Sequence, residues 1–165
     1  HNFRILCGYP YLYVPAQTGK RWRRIYGAYS SERREAHSSP SFHTPEKGDI
    51  VIVDSSNLGK PIVKRVIAEG GDTIDINFDT GAVTVNGEVL DEPYINDLTK
   101  RDEDGQVYPL TIPDGYYFVM GDNRMNSLDS RSAAVGLVPE DEIMGKVVFR
   151  IWPFDRIGTV SWVYL

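Results

Sequence analysis

The feature that most constrains this chain is a rhythm of short β-branched runs and tight turns that sets in at Gly48. Gly-Asp-Ile-Val-Ile-Val-Asp (48–54) is too short for a helix, and its turn-forming ends mark it as a buried strand. A turn from Ser55 to Pro61 leads into a second strand, Ile62 to Ala68, and then into the tight turn Gly70-Gly71-Asp72. Three further strands follow, Thr73 to Asn77, Ala82 to Val85 and Glu88 to Leu90. They are separated by Asp79-Thr80-Gly81 and by Asn86-Gly87, the strongest short hairpin signal a sequence offers. Asp91 to Pro109 is polar and charged and reads as an exposed excursion between strands. Asp114-Gly115 turns into a strand over 116–120, and Val138 to Ile143 reads as one helical turn with Pro139 at its start. A long strand, Gly145 to Trp152, is stopped by Pro153-Phe154-Asp155-Arg156. The sum is about eight strands and almost no helix, a mainly β, antiparallel fold that is open or barrel-like.

Charge divides the chain at the point where this rhythm begins. The net charge of −5 conceals eight basic and three acidic residues before residue 48, and ten basic and twenty acidic residues after it. All three His (His1, His37, His43) and the single Cys7 also lie in the first part, so any chemistry beyond it proceeds without imidazole or thiol. Residues 1–47 therefore read as an atypical N-terminal segment and 48–165 as the β core. Tyr9, Tyr11, Tyr13, Trp22, Tyr26 and Tyr29 allow one or two strands in the first part, and Ser30 to Pro45 is a polar loop without a period. The run Lys20-Arg21-Trp22-Arg23-Arg24 reads as a solvated face rather than as a membrane-surface or nucleic-acid contact, because no repeat or amphipathic period supports either contact. One cysteine excludes an intramolecular disulfide framework.

Two features carry chemistry. The strand Ile-Val-Lys-Arg-Val-Ile-Ala places Lys64 on one face with Ile62 and Val66, and Arg65 on the other with Val63 and Ile67. One of the two charges points into an apolar surface. An apolar wall disfavours the ammonium and makes a neutral amine available as a general base for a hydroxyl nucleophile. The second feature is Gly121-Asp122-Asn123-Arg124-Met125-Asn126-Ser127-Leu128-Asp129-Ser130-Arg131, a loop of turn formers and charges on the end of an apolar strand, where function commonly sits. Ser127 is available to orient the lysine amine.

These residues resemble the type I signal peptidase family, serine proteases that remove signal peptides from exported proteins. Gly48-Asp49-Ile50-Val51, then Lys64-Arg65-Val66-Ile67 with Gly70-Gly71-Asp72-Thr73-Ile74, then Gly121-Asp122-Asn123-Arg124 with Ser127, Asp129, Ser130 and Arg131 correspond to its boxes. The resemblance implies coiled antiparallel β-sheets, Lys64 as general base and Ser127 as the hydroxyl that positions it. It further implies an Asp129–Arg131 ion pair bracing the loop, and a turn shaped by Gly121 and Asp122. No metal or cofactor is implied. The implied partner is a preprotein or pilin signal peptide, bound as an extended strand at the membrane surface, with no nucleic acid. The implied location is the extracytoplasmic face of the bacterial plasma membrane, with an N-terminal transmembrane anchor that this chain does not show.

The family's Ser-Met-x-Pro nucleophile box is not found. Its usual spacing falls near Arg24, and no serine lies between Thr18 and Ser30. Ser30, Ser31, Ser38 and Ser39 are the candidates, with Pro40-Ser41-Phe42 the nearest remnant of the family pattern. Three readings stay open: a protease with a divergent N-terminal segment, a non-catalytic relative acting as a pilus assembly factor or chaperone, and a segment 1–47 foreign to the family. A self-cleaving repressor needs an upstream helix-turn-helix, for which residues 1–47 show no helical period.

Overall fold

In the computed structural model, residues 44–152 and the strands Arg4–Cys7 (β1), Tyr13–Val14 (β2) and Gly158–Thr159 (β12) are described. Between them run β3 (Ile50–Ser55), β4 (Lys60–Glu69), β5 (Thr73–Asn77), β6 (Ala82–Val85), β7 (Glu88–Val89), β8 (Leu110–Thr111), β9 (Tyr116–Met120), β10 (Val138–Pro139) and β11 (Ile143–Trp152). All pairings are antiparallel. They form an eight-stranded sheet in the order β10-β9-β4-β3-β11-β1-β2, with β12 on β11, and a four-stranded sheet in the order β7-β6-β5-β8.

The strands form where the sequence alternates or runs apolar. In β5, Ile74 and Ile76 are buried while Asp75 and Asn77 are exposed, and in β6 Val83 and Val85 are buried opposite them. The β6–β7 turn is made by Asn86 and Gly87, at φ 53° and 84°, the two positive values that a twisted two-residue hairpin demands. β3 is different: Ile50, Val51, Ile52 and Val53 are all buried, so this central strand is covered on both faces.

Two apolar clusters lie on opposite faces of β9. Phe118 and Met120 join Ile74, Ile76, Val83, Val85 and Ile112, tying the two sheets together. Tyr117 and Val119 join Val51, Val53, Val135, Val138 and Ile143. β4 crosses between them. Val66 belongs to the second cluster, but Ile67 and Ala68 both belong to the first, because the β4–β9 register shifts between Val66 and Ala68.

Several expectations need correction. The described residues carry twelve strands rather than eight. Five of them are two-residue strands (β2, β7, β8, β10 and β12), too short to show a period. The turn expected from Ser55 to Pro61 is shorter, since Ser55 pairs with Lys60 and Asp54 with Pro61. Proline is tolerated there because β9 pairs with β4 only from Arg65 onward, which leaves that edge of β4 without a ladder partner among the described residues. The helical turn at Val138–Ile143 is a two-residue strand followed by a 3-10 turn, Glu140–Glu142. The 91–109 excursion holds no strand and most of its residues are exposed, but Tyr94 and Thr99 are buried. It is anchored rather than free.

Candidate active site

The β4–β9 ladder positions the site. Arg65 pairs with Met120, so the chain leaves β9 beside Lys64 and the loop 121–131 begins where the paired part of β4 ends. Lys64 Nζ donates to Ser127 Oγ at 2.7 Å. Gly121 makes that approach possible. A Cβ at this position would lie 2.1 Å from Ser127 Oγ, 2.6 Å from Ser127 Cβ and 3.3 Å from Lys64 Nζ. No side chain larger than hydrogen fits between β9 and the serine.

The loop is held by charges buried as pairs. Asp129 and Arg131 are fully buried, joined through Arg131 Nε to Oδ1 at 2.8 Å and Nη2 to Oδ2 at 2.9 Å. Asp129 also accepts the Gly121 N–H at 3.0 Å. Arg131 also donates to the carbonyls of Arg124, at 2.8 Å, and Arg101, at 3.1 Å. Ser130 closes the loop back onto β9: Val119 N–H donates to its Oγ at 2.9 Å, and its own N–H donates to Val119 O at 3.0 Å. Such pairing matters because one unpartnered buried charge costs about 3–5 kcal/mol.

Electrostatics follow from this burial. Burial lowers the Lys64 pKa from its ordinary value; Asp129 and Asp122 work against that shift, while Arg131 and Lys60 add to it. Burial by itself would raise the Asp129 carboxyl, but the hydrogen bonds and charge of Arg131, with help from the Gly121 N–H and the Ser127 hydroxyl, hold it below the usual carboxylate range. The result is an amine disposed to lose its proton beside a carboxylate that stays ionised. A neutral lysine has two N–H bonds and one lone pair, so an N–H committed to Ser127 narrows the lone pair to the two remaining positions about the amine.

Asp122 does more than shape a turn. It receives Arg65 through Nε to Oδ1 at 2.9 Å and Nη2 to Oδ2 at 2.8 Å, while Arg65 Nη1 donates to Gly48 O at 2.9 Å. Arg65 is 2% exposed, and its guanidinium lies 4.0 Å from the centre of the Tyr94 ring. Of the two charges on this strand, the arginine is therefore the deeper. Sequence reasoning missed this role for Arg65 and missed Glu92 and Thr99, which hold the buried Arg124 of the loop. The adjacent Lys-Arg pair in an apolar strand was the available signal for Arg65. Glu92 and Thr99 offered none, since each lies in polar sequence far from its partner.

The structure thus brings together Lys64, Ser127, Gly121, Asp122, Asp129 and Arg131. Ser30, Ser31, Ser38 and Ser39, the nucleophile candidates, lie outside the described residues. Among the described residues, no group of three or more His, Cys, Asp or Glu side chains is arranged to hold a metal ion. No helix among them is long and apolar enough to cross a membrane.

The described residues thus form an antiparallel β-fold with a lysine amine held by a serine hydroxyl at the end of one ladder. The family described as "Signal peptidase, peptidase S26" matches residues 18–152, and the chain belongs to it. It is 39% identical over 118 residues to "Signal peptidase I T" of Bacillus subtilis (strain 168), an alignment covering 68% of this chain and 60% of that protein. It is 43% identical over 125 residues to "Signal peptidase IB" of Staphylococcus aureus, covering 67% and 63% respectively. The chain thus spans less than two thirds of the length of these curated relatives. The crystal structure of a signal peptidase I from Enterococcus faecalis V583 superimposes with a TM-score of 0.54 at 30% identity, covering 64% of this chain and 98% of that one.

Proposed function

We propose that this protein is a serine endopeptidase of the signal peptidase I type, removing signal peptides from exported preproteins with Lys64 as its general base. The observation that carries the reading is the Lys64 Nζ–Ser127 Oγ hydrogen bond of 2.7 Å, made by an amine whose burial favours the neutral form. Neutral Lys64 takes the proton of a serine hydroxyl, and that oxygen attacks the carbonyl after a small residue of the preprotein. The acyl-enzyme forms as the C–N bond breaks and the amine leaves with a proton from Lys64. Lys64 then activates the water that releases the acid. A backbone N–H near the nucleophile stabilises the oxyanion.

The nucleophile is a serine of the N-terminal segment, with Ser30, Ser31, Ser38 and Ser39 as the candidates. The edge of β4 before Arg65, which has no ladder partner among the described residues, suits an extended peptide added as a strand. Such a substrate emerges from the membrane, which puts the domain on the extracytoplasmic face of the bacterial plasma membrane. A binding-only pilus assembly factor is not favoured, since the relatives matched carry the names of signal peptidases.

The test is release of a signal peptide from a preprotein with small residues at the −1 and −3 positions. The unsubstituted protein cleaves it, and Lys64→Ala loses activity on the order of 100-fold to 10,000-fold, the range of a general base. Retained cleavage in Lys64→Ala defeats the mechanism. Peptide binding without cleavage by the unsubstituted protein defeats the protease assignment.

A further inference from the structure

Residues 92–99 of the excursion touch both halves of the site. The Tyr94 ring packs on Arg65, beside the lysine. Asn96 N–H donates to Asp122 O at 3.3 Å. Arg124, 0% exposed, is gripped from the same segment: it donates through Nη1 to Glu92 Oε2 at 3.0 Å and to Thr99 Oγ1 at 2.6 Å, and through Nη2 to Glu92 Oε1. Arg124 in turn donates from Nε to Gly121 O at 3.2 Å. Gly121 is the residue against which Ser127 and Lys64 meet.

We propose that Glu92, supported by Thr99, is a positioning residue for the Lys64–Ser127 pair: by holding the Arg124 guanidinium it fixes the Gly121 carbonyl, and so the wall on which amine and hydroxyl are set. Without Glu92 a buried arginine loses its counter-charge, and the least costly relief is for it to turn toward water and release Gly121 O. The loop then loosens and water reaches the amine. The charged groups facing Lys64 are Asp129 and Asp122, which favour its ammonium, and Arg131 and Lys60, which disfavour it; burial outweighs each of them. Loosening therefore acts first on burial, and the lysine moves back toward its ordinary titration.

The kinetic half of the test rests on the protease reading, whereas the titration half does not. Glu92→Ala, Glu92→Gln and Thr99→Val are compared with the parent protein. The Lys64 amine is titrated by NMR on isotope-labelled lysine, assigned with a Lys64→Arg sample, and kcat and KM are measured on a preprotein. The expected result for Glu92→Ala is an upward shift of the lysine by about half a pH unit or more. Its kcat falls on the order of 10-fold to 100-fold while KM stays within about 3-fold. Glu92→Gln, which keeps one acceptor oxygen, falls between. A folded Glu92→Ala protein whose lysine titrates as in the parent, with only its melting temperature lowered, overturns the proposal. If that variant does not fold, Thr99→Val decides by the same two readouts. An upward lysine shift in Glu92→Ala, found while the parent protein cleaves nothing, sustains the positioning role and sinks the protease reading.

Discussion

At the scale of single residues, the site depends on one missing side chain and one misplaced charge. Gly121→Ala forces a methyl against the Ser127 hydroxyl and Cβ, so either the serine or β9 must yield. The expected outcome is a loss of cleavage on the order of 100-fold with a stability loss of about 1–3 kcal/mol, checked by kcat/KM and urea unfolding. The lysine makes a pH prediction with a definite sign. Its folded-state pKa is lowered from 10.5, so the folded protein binds fewer protons than the unfolded chain between the two titration points, and stability rises with pH across that window. Below the folded titration point the buried ammonium is a full cost to the fold. Lys64→Met is accordingly more stable than the parent at neutral pH, and the gap narrows as pH climbs toward 10.5. Urea midpoints measured against pH check this, and a gap that widens instead rules it out. Cleavage rises along its acidic limb as the same amine becomes neutral.

At the scale of elements, the loop 121–131 is an extension of β9 folded back on the strand. Ser130→Ala strands the Val119 N–H in a site with no exposure and is expected to cost about 1–3 kcal/mol, read from denaturant unfolding. Ser130→Thr, which keeps the hydroxyl, separates that loss from a change in packing. What was legible in the sequence follows the range of the interactions. β5, β6 and β9 were read at their observed bounds because alternation and turn residues are local signals. A charge in an apolar strand pointed to Lys64, and the loop's own composition pointed to Ser127. The Glu92–Arg124 and Arg65–Asp122 pairs join residues far apart in the chain, and nothing local to either partner announces the other. The two-residue strands are likewise made by their neighbours rather than by their own propensity.

At the scale of the whole molecule, the two sheets share one cluster, so they are expected to stand or fall together. Phe118, fully buried, contacts it from β9, with the Tyr108 ring edge-on at 6.3 Å. Phe118→Ala is expected to cost about 3–5 kcal/mol, with near-UV and far-UV circular dichroism lost in one coincident transition. Two separate transitions would count against a shared core. The Arg65–Met120 rung of the β4–β9 ladder has a wider implication. The meeting of amine and hydroxyl is inherited from parity, the odd-or-even count of residues along two strands, and not from the length of chain between them. Adding residues at the β6–β7 turn changes that length and leaves the meeting point alone. Deleting one residue from the paired stretch of β9 inverts the faces of that strand and carries the loop with Ser127 out of register with the lysine.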